Sequence, residues 1–221
     1  MKQAVVLLSG GLDSATTLFY AKALKYRVHA LIFDYGQRHR KEIECAKRIA
    51  KALCCGYRIV RISFPWKGSA LLDKTIPVPQ KRNLDNKKEI PATYVPARNI
   101  IFLSFAASYA EAVGAQTIFI GANARDYSGY PDCRPEFFKA FARALHKGSK
   151  SGVSGKRIAI ETPLVYKTKR EIIKLGFKLK VPYELTWSCY QGGKTPCRMC
   201  DSCRLRAKGF KEIGKKDPLL C

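Results

Sequence analysis

The residues best suited to chemistry form two clusters, one towards each end of the chain. Near the N-terminus, the apolar run Ala4-Val5-Val6-Leu7-Leu8 breaks into Ser9-Gly10-Gly11-Leu12-Asp13-Ser14. Paired glycines permit positive φ and let a ligand approach the backbone, and a helix opening near Asp13 aims its first free N–H groups at the same spot. An anion is the expected occupant. Asp13 complements the helix dipole by about 0.3 to 1 kcal/mol and can hold a cation that accompanies phosphate. The string lacks the Gly-Lys-Thr/Ser ending of a Walker loop and the G-x-G-x-x-G spacing of a dinucleotide site.

In the second cluster, Cys189, Cys197, Cys200 and Cys203 are spaced C-x7-C-x2-C-x2-C. Two successive short gaps gather three thiolates on one ion, and Cys189 can close the tetrahedron from upstream. Such a closed site is structural, and one zinc ion per chain would supply on the order of 10 kcal/mol to ordering the segment. C-x2-C-x2-C also opens a ferredoxin run, but no fourth cysteine followed by proline comes after it, so zinc is expected over an iron–sulfur cluster.

Other candidates lie between the clusters. Arg98 opens a helix predicted from Pro96 to about Val113, an awkward place for a cation unless an anion is near. The stretch from Gly121 to Phe137 holds Arg125, Asp126, Tyr127, Tyr130, Asp132 and Arg134, a set suited to a planar, polar heterocycle: carboxylates accept from ring N–H groups and aromatics offer stacking faces. Lys167, just before a helix, could meet phosphate. Asp34 stands at a strand end, where it either reaches a ribose or terminates the strand. His29 and His39 are expected to be exposed, and Cys45, Cys54 and Cys55 to be small core residues of one helix. No side chain stands out as a general base.

These groups need a frame. Helical spacing of Leu18, Tyr20, Ala21 and Leu24 predicts a helix from about Asp13 to Lys25, followed by a strand from Val28 to Phe33. A second helix runs to about Cys55, with Ile43, Ala46, Ile49, Ala50 and Leu53 as its buried stripe. Further strands are predicted at Arg58–Phe64, Gln116–Ile120 and Arg157–Glu161, and a helix from Pro135 to about Leu145. Residues 73 to 93 read as a long excursion and Lys147–Lys156 as a mobile linker. Thr168-Lys169-Arg170-Glu171 has capping-box spacing and begins a helix to about Leu175. Strand-helix-strand units imply a doubly wound, mainly parallel α/β sheet flanked by helices, with ligands beyond the carboxyl ends of the strands. Residues 1–176 form this nucleotide-binding body, and 177–221 a small zinc-binding segment packed on it.

At 221 residues and 47% hydrophobic the chain can bury one substantial core. No apolar run approaches bilayer length, so a soluble, cytoplasmic protein with no membrane partner is expected. Nine cysteines in such a chain point to metal or chemistry before disulfides. The net charge of +24 suggests acidic ligands, but lysines and arginines are spread without a dominant block.

Ser9 to Ser14 resembles the pyrophosphate loop of the N-type ATP pyrophosphatases. Together with Asp34-Tyr35-Gly36-Gln37-Arg38-His39, Tyr94 to Asn99, Tyr127 to Phe137, Thr186-Trp187-Ser188-Cys189-Tyr190 and the cysteine trio, it resembles the 7-cyano-7-deazaguanine synthase family, QueC, over nearly the whole chain. Ala97 and Arg198 depart from it, where the family usually has glycine. The resemblance implies an adenine nucleotide alpha hydrolase-like fold and an ATP-dependent ligase that joins 7-carboxy-7-deazaguanine and ammonia into the 7-cyano compound, on the route to queuosine and archaeosine. It implies ATP held by Leu8, Ser9, Gly10, Gly11, Leu12, Asp13, Ser14, Ala15, Thr16, Thr17 and Leu18. Asp13, Ser14, Arg98 and Lys167 are the catalytic candidates, with Mg2+ at Asp13; Tyr130, Asp132 and Arg134 are those for the deazaguanine ring and its carboxylate. A homodimer is implied and no nucleic-acid partner. A tRNA thiolase of the same superfamily, and a non-catalytic zinc module that binds nucleic acid, are the rival readings.

Overall fold

A computed structural model of the chain describes residues 1–82, 89–125 and 129–220. Five strands, β1 (Gln3–Leu7), β2 (Arg27–Asp34), β3 (Gly56–Arg61), β4 (Thr117–Phe119) and β5 (Ala159–Glu161), lie parallel in the order β3-β2-β1-β4-β5. The helices are α1 (Leu12–Ala23), α2 (Lys41–Ala52), α3 (Arg98–Val113), α4 (Pro135–Gly148), α5 (Lys150–Val153), α6 (Lys169–Lys178) and α7 (Asp201–Glu212). This is the doubly wound α/β sheet expected.

Strand alternation decides which helices cover which face. Ala4, Val6 and Leu8 join a core with Leu18 of α1, Ile49 of α2, Ile172 of α6 and Phe210 of α7. Val5 and Leu7 join a second core with Leu103 and Ala106 of α3 and Phe138 of α4. β1 is therefore apolar throughout because it is buried on both sides. Its neighbours β2 and β4 lead in opposite directions from it, so a crevice opens at their carboxyl ends.

Several predicted bounds shift for physical reasons. β3 starts at Gly56 and stops at Arg61, where its partner β2 runs out at Asp34. α2 ends at Ala52 because Cys54 takes a left-handed φ of 47°, and Cys54 is exposed, not part of the core. The stretch Lys147–Lys156, read as a mobile linker, instead completes α4 and forms α5. There the Ser149 hydroxyl accepts from Gly152 N at 3.0 Å, and Ser151 N donates to Glu111 of α3 at 2.6 Å. The capping box at Thr168 and Glu171 is formed. Asp126 and Tyr127 in the heterocycle loop, Cys221, and part of the excursion at 83–88 lie outside the described residues.

Candidate active site

The crevice holds a cavity of about 220 Å³. Its floor is the turn after β1. Gly10, at φ +86°, does not touch the cavity: a Cβ there would collide with the Glu42 carbonyl, so this glycine lets α2 close on the loop. Gly11 caps α1 and, with Leu8, Ser9, Leu12, Asp13 and Ser14, faces the cavity. The two serines brace the turn, with Ser9 Oγ and Ser14 Oγ 3.0 Å apart and Ser14 Oγ also accepting from Ser9 N at 3.2 Å. Ala15, Thr16, Thr17 and Leu18 are buried in the body of α1, away from the lining. Gly121 after β4 packs so closely that a Cβ would sit 3.0 Å from the Asp13 backbone.

Positive charge enters from two helix starts. Lys169 Nζ, in the first turn of α6, lies 2.8 Å from each carboxylate oxygen of Asp13. Arg98, the first residue of α3, donates to the Tyr35 hydroxyl at 3.3 Å. Burial opposes the Arg98 charge, but Tyr35, Tyr130 and Asp132 around it hold its pKa above the usual arginine range. Burial pushes the Tyr35 hydroxyl up to about 12 despite Arg98, leaving it a protonated donor at neutral pH. Phe33 and Phe102 stack at 3.9 Å and form an aromatic wall beside Tyr35 and Tyr130.

Tyr130 lines the cavity, its hydroxyl 2.7 Å from that of Thr93. Asp132 is buried, and its carboxylate accepts from Asn99 N at 2.9 Å, capping the start of α3. Asn99 in turn reaches the Asp132 carbonyl and Cys133 Sγ. Arg134 is exposed at the start of α4, outside the lining. Lys167 is also outside it: its carbonyl receives Asn123 Nδ2 at 2.6 Å, and Lys169, two residues on, is the lysine that reaches the loop. Asp34 pairs with Arg40 at 2.7 Å and lies away from the cavity. His29 meets Gln3 at 2.8 Å. His39, expected to be exposed, is only 4% so, and it lines the cavity.

The four cysteines converge. All four Sγ atoms lie within 4.8 Å of one another, close to the separation of about 3.8 Å in a tetrahedron with 2.3 Å metal–sulfur bonds. Cys197 N donates to Cys189 Sγ and Cys200 N to Cys197 Sγ, each at 3.3 Å, an environment suited to thiolates. The donor set fits zinc. The segment around the knuckle also walls the cavity: Trp187 N donates to the Gly10 carbonyl at 2.9 Å, and Trp187, Ser188, Tyr190, Ser202 and Arg206 complete the lining. Arg206 is anchored by both Asp217 oxygens at 2.7 and 2.8 Å and by the Thr186 hydroxyl at 2.6 Å.

Of the residues that line the cavity, Lys169, Glu42 and Arg206 were not singled out in the sequence, and His39 was expected to be exposed. Lys169 carried the same signal as Arg98, a cation in the first turn of a helix.

A family model described as "Queuosine biosynthesis protein QueC" matches residues 3–214. A 7-cyano-7-deazaguanine synthase from Acetivibrio thermocellus is 56% identical over 220 residues, 99% of this chain and 97% of its own length. One from Thermoplasma acidophilum is 55% identical over 218 residues, covering 99% and 91%. Among solved structures, NMN synthetase from Francisella tularensis aligns over 97% of this chain and 78% of its own, with a TM-score of 0.53 at 16% identity. A 4-thiouridine synthetase–RNA complex with bound ATP aligns over 96% and 50%, with a TM-score of 0.52 at 18% identity. At such identities these two bear on fold alone.

Proposed function

The chain belongs to the QueC family of queuosine-biosynthesis proteins, and on that footing we propose that its cavity uses ATP to activate the carboxylate of 7-carboxy-7-deazaguanine, which ammonia then converts to the nitrile of 7-cyano-7-deazaguanine. A carboxylate is a poor electrophile because its oxygen leaves badly. Joining it to a phosphoryl group supplies a leaving group that ammonia displaces, and the amide so formed is activated by a second ATP before it loses its oxygen. The enzyme's part is to bring the anions together and offset their charge.

In this scheme Leu8, Ser9, Gly11, Leu12, Asp13 and Ser14 hold the nucleotide, with the free N–H groups opening α1 directed at its phosphates, while Gly10 and residues 15 to 18 shape the turn and the helix behind it. Lys169 takes the charge-neutralising role first assigned to Lys167, beside Arg98. Phe33, Phe102, Tyr35 and Tyr130 receive the deazaguanine ring, and Asp132 acts on it through Asn99. Arg134 would reach the substrate only by moving in from the surface. Mg2+ enters with the triphosphate, and Asp13 is the carboxylate offered to it beside the loop. Zinc on Cys189, Cys197, Cys200 and Cys203 holds segment 177–221 against the nucleotide-binding body, 1–176. We further propose a cytoplasmic homodimer, to be checked by sedimentation; among the described residues no helix is long and apolar enough to cross a membrane.

The observation that carries this reading is that the glycine turn after β1 and the wall built by the cysteine knuckle enclose one cavity. Its test is incubation with ATP, Mg2+, ammonium and 7-carboxy-7-deazaguanine, with the products weighed by mass spectrometry. A product carrying a nitrile supports it, and unchanged acid with intact ATP refutes it.

A further inference from the structure

Taking that amination as the reaction, we propose that His39 is its proton acceptor, held in the competent tautomer by a buried relay of Glu42 and Gln37. His39 Nε2 lies 3.0 Å from the Glu42 carboxylate. The other Glu42 oxygen accepts from Gln37 Nε2 at 3.1 Å. Gln37 is itself fixed at both ends of its amide: its Nε2 donates to the Phe33 carbonyl at 3.1 Å, and its Oε1 accepts from Tyr35 N at 2.9 Å. Gln37 is 1% exposed, so the relay is built into the interior at the carboxyl end of β2.

Because a carboxylate only accepts, Nε2 carries the hydrogen in this pair, and in the neutral ring Nδ1 then keeps its lone pair. Nδ1 is buried and has no hydrogen-bond partner among the described residues. Native interiors rarely leave a buried ring nitrogen unmet, so a bound group is the expected partner of Nδ1. The imidazole lines the same cavity as Ser9, Asp13, Arg98 and Lys169. Tyr190 packs against the ring at 5.6 Å between centroids, and the backbone at Gly192 closes on the Arg38 carbonyl and the His39 Cα beside it.

The proton balance of the reaction calls for such a group. When ammonia adds, its lone pair forms the C–N bond, the bond from the acyl carbon to the phosphoryl-linked oxygen breaks, and its electrons leave with the nucleotide. The nitrogen then holds one proton too many, and Nδ1 accepts it, leaving an imidazolium paired with Glu42. After a second ATP has joined a phosphoryl group to the amide oxygen, that oxygen leaves with its bonding pair. The nitrogen gives up its two remaining protons as the nitrile forms. His39 takes these in turn and passes each to solvent. A positioned histidine in this role contributes typically about 10²–10⁴-fold.

The test compares the full-length, zinc-loaded wild-type protein with His39→Ala and Glu42→Gln. His39→Ala should lower nitrile formation at least about 100-fold while ATP affinity stays near wild type, and added imidazole should restore turnover in proportion to its neutral form; some fall in melting temperature is expected from truncating a buried side chain. Glu42→Gln should lower turnover with no response to imidazole. Two results would overturn the role: a His39→Ala enzyme at wild-type kcat, or one whose loss is matched by lost ATP binding and ignores imidazole. Should His39→Ala fail to fold, His39→Gln replaces it, and wild-type turnover there is equally fatal. Wild-type protein that leaves the acid unchanged refutes the reaction itself, a result separable from either.

Discussion

Lys169 Nζ sits 2.8 Å from both oxygens of Asp13, binding the first turn of α6 to the first turn of α1. The phosphate loop thus carries a carboxylate whose charge is already met by a lysine far away in sequence. Lys169→Met should remove that ion pair. The loss of stability should fall somewhat below the roughly 3–5 kcal/mol of a fully buried pair, because the Asp13 side chain remains 22% exposed. Adding Asp13→Asn should recover most of the melting temperature but none of the ATP-dependent turnover. Recovery of turnover in the double variant would show that the pair serves folding alone.

Ala97 and Arg198, where the sequence leads one to expect glycine from the resemblance, both have a left-handed backbone, at φ 54° and 60°. Ala97 forms the turn before α3, where its N–H donates to the Tyr94 hydroxyl at 3.1 Å, and Arg198 lies inside the cysteine knuckle. Glycine removes a penalty that a Cβ imposes in this region, so Ala97→Gly and Arg198→Gly should each stabilise the protein by about 1 kcal/mol. Urea denaturation of each variant checks this. A destabilised Ala97→Gly would mean that unfolded-state entropy outweighs the strain.

How legible this was depended on how local the physics is. The Ser9–Ser14 loop and the cysteine knuckle could be read directly, because turn chemistry and ligand spacing act over a few residues. Core helices followed from their periodicity, as Ile43, Ala46 and Ile49 show. His39 could not be read, since its burial depends on Tyr190 and Gly192 folding back from the far end of the chain. Lys167 was named and Lys169 was not, for want of the α1–α6 packing that brings Lys169 to Asp13. The contact of Asp132 with the start of α3 could not be read, because Asn99 lies thirty-odd residues upstream.

Burial raises the Asp132 pKa, only partly countered by the Asn99 N–H and Arg98. A carboxyl whose folded pKa exceeds its unfolded value is fully accommodated below the unfolded value, and stability falls as pH rises through the folded one. Asp132→Asn removes that titration. From about pH 4, the ordinary aspartate value, up through the raised folded value, the variant should gain stability relative to wild type, and the difference should be flat above that. Thermal melts of both proteins across this range test the sign. A variant that loses ground as pH rises would mean that the ionised carboxylate is favoured at the start of α3.

Zinc and the nucleotide site should fail together. Trp187 is fully buried, its backbone N–H on the Gly10 carbonyl and its indole N–H on the Cys189 carbonyl, both at 2.9 Å. One residue thereby couples a metal ligand to the phosphate loop. Cys200→Ala, or chelation of the wild type, should release the knuckle, expose Trp187 and weaken ATP binding, whereas Asp13→Ala should keep zinc and lose turnover. The chain has two tryptophans and Trp66 is already 62% exposed, so in a Trp66→Phe background the emission reports Trp187 alone. Its maximum should shift to the red on metal loss, in step with the fall in ATP affinity. Unshifted emission and full turnover after complete removal of zinc would show that the knuckle holds its place, and the cavity its shape, without the metal.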